Sequence, residues 1–276
     1  MKSLRTCLLA LLFTISILPA LAGVPERIIS LAPSITQSLY AMGAQDRLVG
    51  CTSYCYPAIE DGKTVVGTAT QVNIEKALSL KPDLVLASSF TKPEEMEILR
   101  KFGVEVLLLE SPHSYDEICE QFVALGEAVG KKPRAAQIVE NSRTIVRKIS
   151  ERRKEKASGT PPTLFFQIGA NPLFAVIPET FMDDYIRFLG CTNITKELKH
   201  GQVTEEFVVK ENPDYILIAT MGSLTSSERM KWLRLSSLKA ARHSRVYVID
   251  AALACEPSPV TFAQTMTMLD RLINEY

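Results

Sequence analysis

The sequence predicts an α/β protein of two lobes with mainly parallel sheets, joined by one long helix. Three observations carry this. Short β-branched apolar runs alternate with helical patterns in both halves, the middle of the chain has no strand signal, and a segment of the first half recurs in the second.

Strand-length apolar runs lie at 27–31, 47–51, 84–87 and 104–109, and again at 164–168, 215–219 and 246–249. Helical periodicity fills the intervals at 34–42, 74–79, 93–102, 115–130, 181–189, 205–210 and 231–240. Alternation of this kind implies parallel sheets covered on both faces. From 133 to 156, Ala135, Ile138, Val139, Ile145, Val146 and Ile149 recur at three- and four-residue spacing, the stripe of one amphipathic helix. Pro133 sits near its first turn, a charge-rich end covers 151–156, and Ser158-Gly159-Thr160-Pro161-Pro162 stops it. At 1.5 Å per residue such a helix runs about 35 Å, enough to cross the back of two lobes. The expected organisation is an export signal at 1–22, a first lobe at 24–131, the connecting helix at 133–157 and a second lobe at 161–276. The plainer alternative is an ordinary helix inside one domain.

The repeat supports two lobes. Gln71-Val72-Asn73-Ile74-Glu75 with Pro82-Asp83 matches Gln202-Val203-Thr204-Glu205-Glu206 with Pro213-Asp214, at a constant offset of 131 residues. Asn73 and Thr204 are N-cap residues, which makes Glu75 and Glu206 the second residues of two equivalent helices. Helix-dipole electrostatics alone favours acids there. A matched carboxylate on each lobe is equally what a two-fold partner would read.

With 276 residues, 46% of them hydrophobic and 22% charged, the chain is neither disordered nor fibrous, and each lobe is large enough to bury a core of its own. A balance of 31 basic against 31 acidic residues leaves no footprint for a nucleic-acid partner. Lys2 and Arg5, an apolar run over 7–18 and the small residues Ala20-Leu21-Ala22 form a signal cleaved after about Ala22. No cysteine follows that junction, so a lipid anchor there is not expected. The mature chain keeps 29 basic and 31 acidic residues and is expected to be soluble and exported. Export places Cys51, Cys55, Cys119, Cys191 and Cys255 in an oxidising compartment; five is odd, and Cys51 and Cys55 read as a local disulfide or a loosely constrained pair.

Catalytic chemistry is hard to find. None of His113, His200 and His243 has the spacing of a zinc-binding helical pair, and the nucleophile elbow, phosphate loop and dinucleotide fingerprint are missing. His243 reads as a solvated loop residue, His113 as a loop residue beside a cleft or on the surface, and His200 as a loop residue at the lobe interface. In parallel α/β sheets ligands bind outside the carboxyl ends of strands. Those ends carry Ser34, Tyr54, Tyr56, Phe90, Phe174 and Glu256, aromatics and hydroxyls suited to holding a flat, partly apolar molecule by contact area. No metal ligand set and no catalytic cofactor site is expected.

The run Arg27-Ile28-Ile29-Ser30-Leu31-Ala32-Pro33-Ser34-Ile35-Thr36, then Leu48-Val49-Gly50, Asn73-Ile74-Glu75 and Leu80-Lys81-Pro82-Asp83-Leu84-Val85, resembles the periplasmic binding proteins of iron-chelate and vitamin B12 ABC importers. The second half continues the likeness through Phe166-Gln167-Ile168-Gly169, Asn171-Pro172, Phe174, Asn193-Ile194, Arg245-Val246-Tyr247-Val248-Ile249-Asp250 and Ser258-Pro259. The likeness is strongest to cobalamin-binding members. It implies two Rossmann-like lobes joined by a backbone helix, a ligand between them, and a periplasmic receptor, monomeric when free, that delivers its ligand to a permease dimer with its ATPase. Glu75 and Glu206 fall on the positions that dock onto permease arginines; Ser34, Tyr54, Tyr56, Phe90, Phe174, His200 and Glu256, on strand-end and interface loops, are the residues expected to face the ligand. The chain departs where similar cobalamin binders place tryptophans, having Ala69 and His200 there, and it has Cys255-Glu256 where arginine is common and Gln37 for a frequent glutamate. The cleft thus loses indole area and gains an acid. The expected ligand is a metal chelate, cobalamin-like first, haem or a ferric siderophore second; the alternative is an exported enzyme or a non-transport chelate scavenger on the same scaffold.

Overall fold

The computed structural model describes residues 23–157, 159–220 and 225–274, so the expected export signal lies outside the described residues. In the first lobe β1 (Ile28–Ser30), α1 (Pro33–Met42), β2 (Leu48–Thr52), α2 (Tyr56–Glu60), β3 (Thr64–Gly67), α3 (Ile74–Ser79), β4 (Leu84–Ser88), α4 (Pro93–Lys101) and β5 (Glu105–Leu109) follow one another. The strands form one sheet in the order β3-β2-β1-β4-β5, parallel throughout. Helix α5 (Tyr115–Ala128) then leads into α6 (Lys132–Lys156).

The second lobe contains β6 (Thr163–Ala170), β7 (Leu173–Ala175), α7 (Phe181–Phe188), β8 (Thr192–Asn193), α8 (Glu205–Glu211), β9 (Tyr215–Ile218), α9 (Thr225–Leu233), α10 (Lys239–Arg242), β10 (Val246–Val248), α11 (Ala251–Ala254) and α12 (Pro259–Asn274). Its sheet runs β10-β9-β6-β7 with β8 beside β6; only the β6–β7 pair is antiparallel. Two sequence expectations are corrected here. The helix expected over 231–240 is two helices, α9 and α10, because Ser236 and Ser237 interrupt it while Trp232 and Leu238 on either side both turn into the core. Helix α12, a major element, was not anticipated.

Alternation along the strands divides the interior. Ile28 on β1 and Leu164 and Phe166 on β6 face one large core, while Ile29 and Phe165 face separate clusters on the outer sides of their sheets. The large core runs without interruption from Leu84 in the first sheet through α5, α6 and α12 to Tyr215 in the second. The two lobes therefore share a core, where the sequence suggested one each. Joining them is efficient, because the surface buried between lobes is removed from water without lengthening either chain half.

Helix α6 is the centre of that shared core. Ala135, Ile138, Val139, Ser142, Val146 and Ile149 are buried on one face, and Ile145, expected in the stripe, is instead 41% exposed. Ser142 belongs there because its hydroxyl donates to the Pro259 carbonyl at 2.6 Å and meets the Tyr115 hydroxyl at 2.6 Å, tying α12, α6 and α5 together. Tyr115 stacks on Phe262 and Phe262 on Tyr185, each with ring centroids 4.3 Å apart. At the far end of α6, Arg152 and Arg153 both bind the buried Asp270 carboxylate of α12.

The approach of α5 to α6 depends on one missing methyl group. A Cβ on Gly126 would lie 2.4 Å from the Ala135 Cβ and 3.3 Å from the Met42 sulfur. Alanine would raise helix propensity by about 1 kcal/mol, but overpacking costs about 1–3 kcal/mol, and a backbone-proximal Cβ cannot rotate away. Gly126→Ala is expected to lower the free energy of unfolding by up to about 2 kcal/mol in urea titration.

Candidate functional site

Strand order in the first sheet reverses between β1 and β4, which opens a crevice beyond their carboxyl ends. A cavity of about 310 Å³ occupies it. The first lobe supplies residues 31–35 after β1, Ser88, Ser89 and Phe90 after β4, Glu110, Ser111 and Pro112 after β5, and Gln121, Phe122 and Leu125 from α5. Phe181, Cys255, Glu256 and Pro257 of the second lobe close the opposite side.

Local chemistry shapes each wall. Thr36 donates to Ser30 at 2.8 Å, fixing the turn between β1 and α1, and Ser38 donates back to the Ser34 carbonyl at 2.7 Å. The turn after β4 is closed by Thr91 N–H to the Ser88 carbonyl at 2.9 Å, and it displays Phe90, 67% exposed. The hydroxyls of Ser89 and Ser111 meet at 2.7 Å and join the loops after β4 and β5. Ser88 Oγ is buried in the wall with no hydrogen-bond partner among the described residues.

Two bonds cross from lobe to lobe at the cavity. Gln37 Nε2 of α1 donates to Glu256 Oε2 at 2.5 Å, and the His113 ring Nδ1 lies 3.1 Å from the Glu179 carbonyl oxygen. Burial raises the Glu256 carboxyl to about 7; Cys55 and Asp250 add to the rise, and the Gln37 hydrogen bond opposes it. Below the site, Cys51 and Cys55 are buried free thiols whose mutual hydrogen bond holds Cys51 above and Cys55 below the usual thiol range. Among the described residues no three His, Cys, Asp or Glu side chains converge to hold a metal ion.

Of the ligand-side residues picked out from the sequence, Ser34, Phe90 and Glu256 come together in the cavity wall. Tyr54 and Tyr56, 52% and 62% exposed, lie after β2 outside the lining, as do Phe174 and the exposed His200 in the second lobe. The sequence reading missed Glu110 and Ser111, which the rule of strand carboxyl ends reaches, and Gln121 and Phe122, which only the packing of α5 reveals.

The internal repeat has a structural meaning. Val72 bridges Gly67 at the end of β3, and Gln202 bridges Phe174 on β7, so each Gln-Val pair docks on an edge strand. Asn73 and Thr204 then accept the third N–H of α3 and α8, placing Glu75 and Glu206 at identical second positions. Asp83 accepts the N–H groups of Glu26 and Arg27 ahead of β1, and Asp214 accepts the N–H and hydroxyl of Thr163 at the start of β6. Both glutamates are exposed, and neither forms an ion pair among the described residues, whereas neighbouring Glu205 binds Lys231 at 2.6 Å. Glu206 is held below the usual carboxylate range by its own backbone N–H and the Thr204 hydroxyl.

Known proteins share this framework. A family model described as periplasmic binding protein matches residues 28–253. The ABC transporter substrate-binding lipoprotein YvrC of Bacillus subtilis is 31% identical over 243 residues, covering 85% of this chain and 76% of the relative. The vitamin B12-binding protein of Yersinia pestis is 30% identical over 227 residues, covering 81% and 79%. The crystal structure of the periplasmic heme-binding protein HutB of Vibrio cholerae superposes with a TM-score of 0.79 at 17% identity, covering 90% of this chain and 99% of that one, a likeness of fold. No helix among the described residues is long and apolar enough to cross a membrane.

The raised Glu256 carboxyl predicts a signed pH effect. Below about 4.5 the folded and unfolded chains both hold the proton; between 4.5 and about 7 the folded chain alone keeps it, so stability falls as pH rises through that window and levels off above it. Glu256→Gln removes the slope. Because the side chain is only partly buried, the variant is expected to exceed the parent by about 1 kcal/mol at pH 8 and to match it near pH 4 in denaturant titrations.

Proposed function

Because the chain belongs to the periplasmic binding protein family, we propose that it is the receptor of an ABC importer, capturing a metal chelate between its lobes in the periplasm. The observation that carries this is a cavity lined by both lobes in a chain that also carries one exposed glutamate, without an ion-pair partner among the described residues, at the same helical position of each lobe. Cobalamin or a related corrinoid is the first ligand and haem the second, with a ferric siderophore behind them. The relative named for vitamin B12 supports that order, and so does a cavity wall rich in hydroxyls and aromatic edges.

A chelate of that size exceeds 310 Å³, so it is clasped rather than engulfed. Ser34, Phe90 and Glu256 contact its inserted edge, and Tyr54, Tyr56, Phe174 and His200 contact the part that projects. Binding and release, with no chemistry on the ligand, is the activity; the transport role of the family supports a receptor over an enzyme. The export signal over 1–22 delivers the chain, which acts as a monomer until it meets the permease dimer and its ATPase.

Glu75 and Glu206 are the docking contacts. A carboxylate free of internal pairing is available for bidentate pairing with arginine, and two at equivalent places select one docking pose. Calorimetric titration with cyanocobalamin, haem and ferric chelates tests the ligand reading: at least one binds, and Phe90→Ala weakens it by about 2 kcal/mol. Binding by none of them contradicts it. Charge reversal of Glu75 and Glu206 to lysine is expected to leave stability within about 0.5 kcal/mol of the parent while uptake collapses; each single reversal gives a partial loss. Undiminished uptake by the double variant would reduce the repeat to helix capping.

A further inference from the structure

The walls of the cavity are charged with one sign only. Glu110 and Glu256 line it, and no lysine, arginine or histidine does so among the described residues. The basic side chains nearest in sequence do not offset them. His113, next to the lining Pro112, is turned to the Glu179 carbonyl, and Lys92, two residues past Phe90, is exposed outside the lining. Glu110 has no ion-pair partner among the described residues.

The surroundings of Glu256 sharpen the asymmetry. The Gln37 amide of α1 donates to it, while Cys55 ahead of α2 and Asp250 at the start of α11 act on it through space. None of these is a cation. Gln37 satisfies one carboxylate oxygen with a neutral donor, and the rest of the carboxylate faces the cavity without a positive charge. An anionic ligand entering here would bring like charge against the partly buried Glu256, where Coulomb interactions are several-fold stronger than in bulk water, and against the exposed Glu110, whose repulsion is weaker and screened by solvent. A cationic rim, or a crown of amide N–H donors, would meet oxygens that are waiting for it.

Building on the receptor reading above, we propose that the cleft is selective for charge. Among chelates of one shape it favours those with a positive or donor-rich rim and disfavours those with a carboxylate rim, Glu110 and Glu256 being the residues that discriminate. This places haem, with its two propionates, behind neutral amide-rimmed corrinoids for a physical reason, and it specifies the ligand by the chemistry of its edge.

The test is a charge series on a single macrocycle, titrated calorimetrically at pH 8, where Glu256 is mainly ionised. The probes are cyanocobalamin, its monocarboxylate made by hydrolysing one peripheral amide, and the aminoethyl amide made from that carboxylate. Affinity is expected to rise from the carboxylate through the parent to the amine by about tenfold in all, with the spread shrinking as salt is added. In Glu110→Gln/Glu256→Gln the ratio of affinities between the amine and the carboxylate falls below about twofold, whatever the change in affinity for the parent compound. Equal affinities for all three probes on the unaltered protein, or an unchanged spread in the double variant, would overturn the charge selectivity and leave the receptor reading intact. Failure of all three to bind would overturn the corrinoid reading and this inference with it.

Discussion

Everything else in this molecule depends on α6 being packed against α5 of the first lobe and α12 of the second at once. Its buried stripe faces both helices, Ser142 is hydrogen-bonded to Tyr115 on one side and Pro259 on the other, and Arg152 and Arg153 hold Asp270 at its far end. The Tyr115–Phe262–Tyr185 stack extends that contact into an aromatic layer shared by the lobes. A hinge made of a few extended segments moves by changing backbone angles at little cost. Here any large rotation would expose part of one close-packed core, and interiors of this kind switch between discrete packings instead of deforming smoothly.

The cleft follows from that fixed geometry. Because the lobes share one core, the carboxyl ends of the first sheet and the α11–α12 loop face each other, and the Gln37–Glu256 and His113–Glu179 contacts join the two sides. Glu75 and Glu206 sit on α3 and α8, one on each side of that shared core. In the proposed docking, two contact points on two lobes are specific only if the distance between them is set by the protein, and the strut beneath the cavity is the element that would set it.

Much of this was legible in the sequence because strong periodicity is a property of the chain alone. The α6 pattern located a helix that the structure places at Lys132–Lys156, and the Gln-Val repeat located two equivalent helix starts to the residue. The repeated aspartates had no visible purpose until Asp83 and Asp214 were seen holding the first residues of β1 and β6. Helix α12 was missed although Phe262, Met266, Leu269 and Ile273 carry the right spacing, because its polar Thr and Gln residues dilute the signal. Strands β3 and β8 hold two apolar residues and none, too few for a strand-length apolar run to register. Which aromatics line the cavity was beyond sequence reasoning: Phe90 and Tyr54 follow strands in the same way, and sheet order separates them, β4 bordering the β1–β4 crevice while β2 lies on the other side of β1.

The central claim is that two lobes with one shared core act as a nearly rigid clamp. The direct measurement is the distance between spin labels introduced at the exposed Lys76 of α3 and Lys210 of α8, by pulsed electron resonance, with and without saturating cyanocobalamin. The account predicts a single narrow distribution in both states, with a mean that shifts by less than about 3 Å. A shift on the order of 10 Å, or two well-separated populations in the free protein, would be the signature of a hinge and would contradict it.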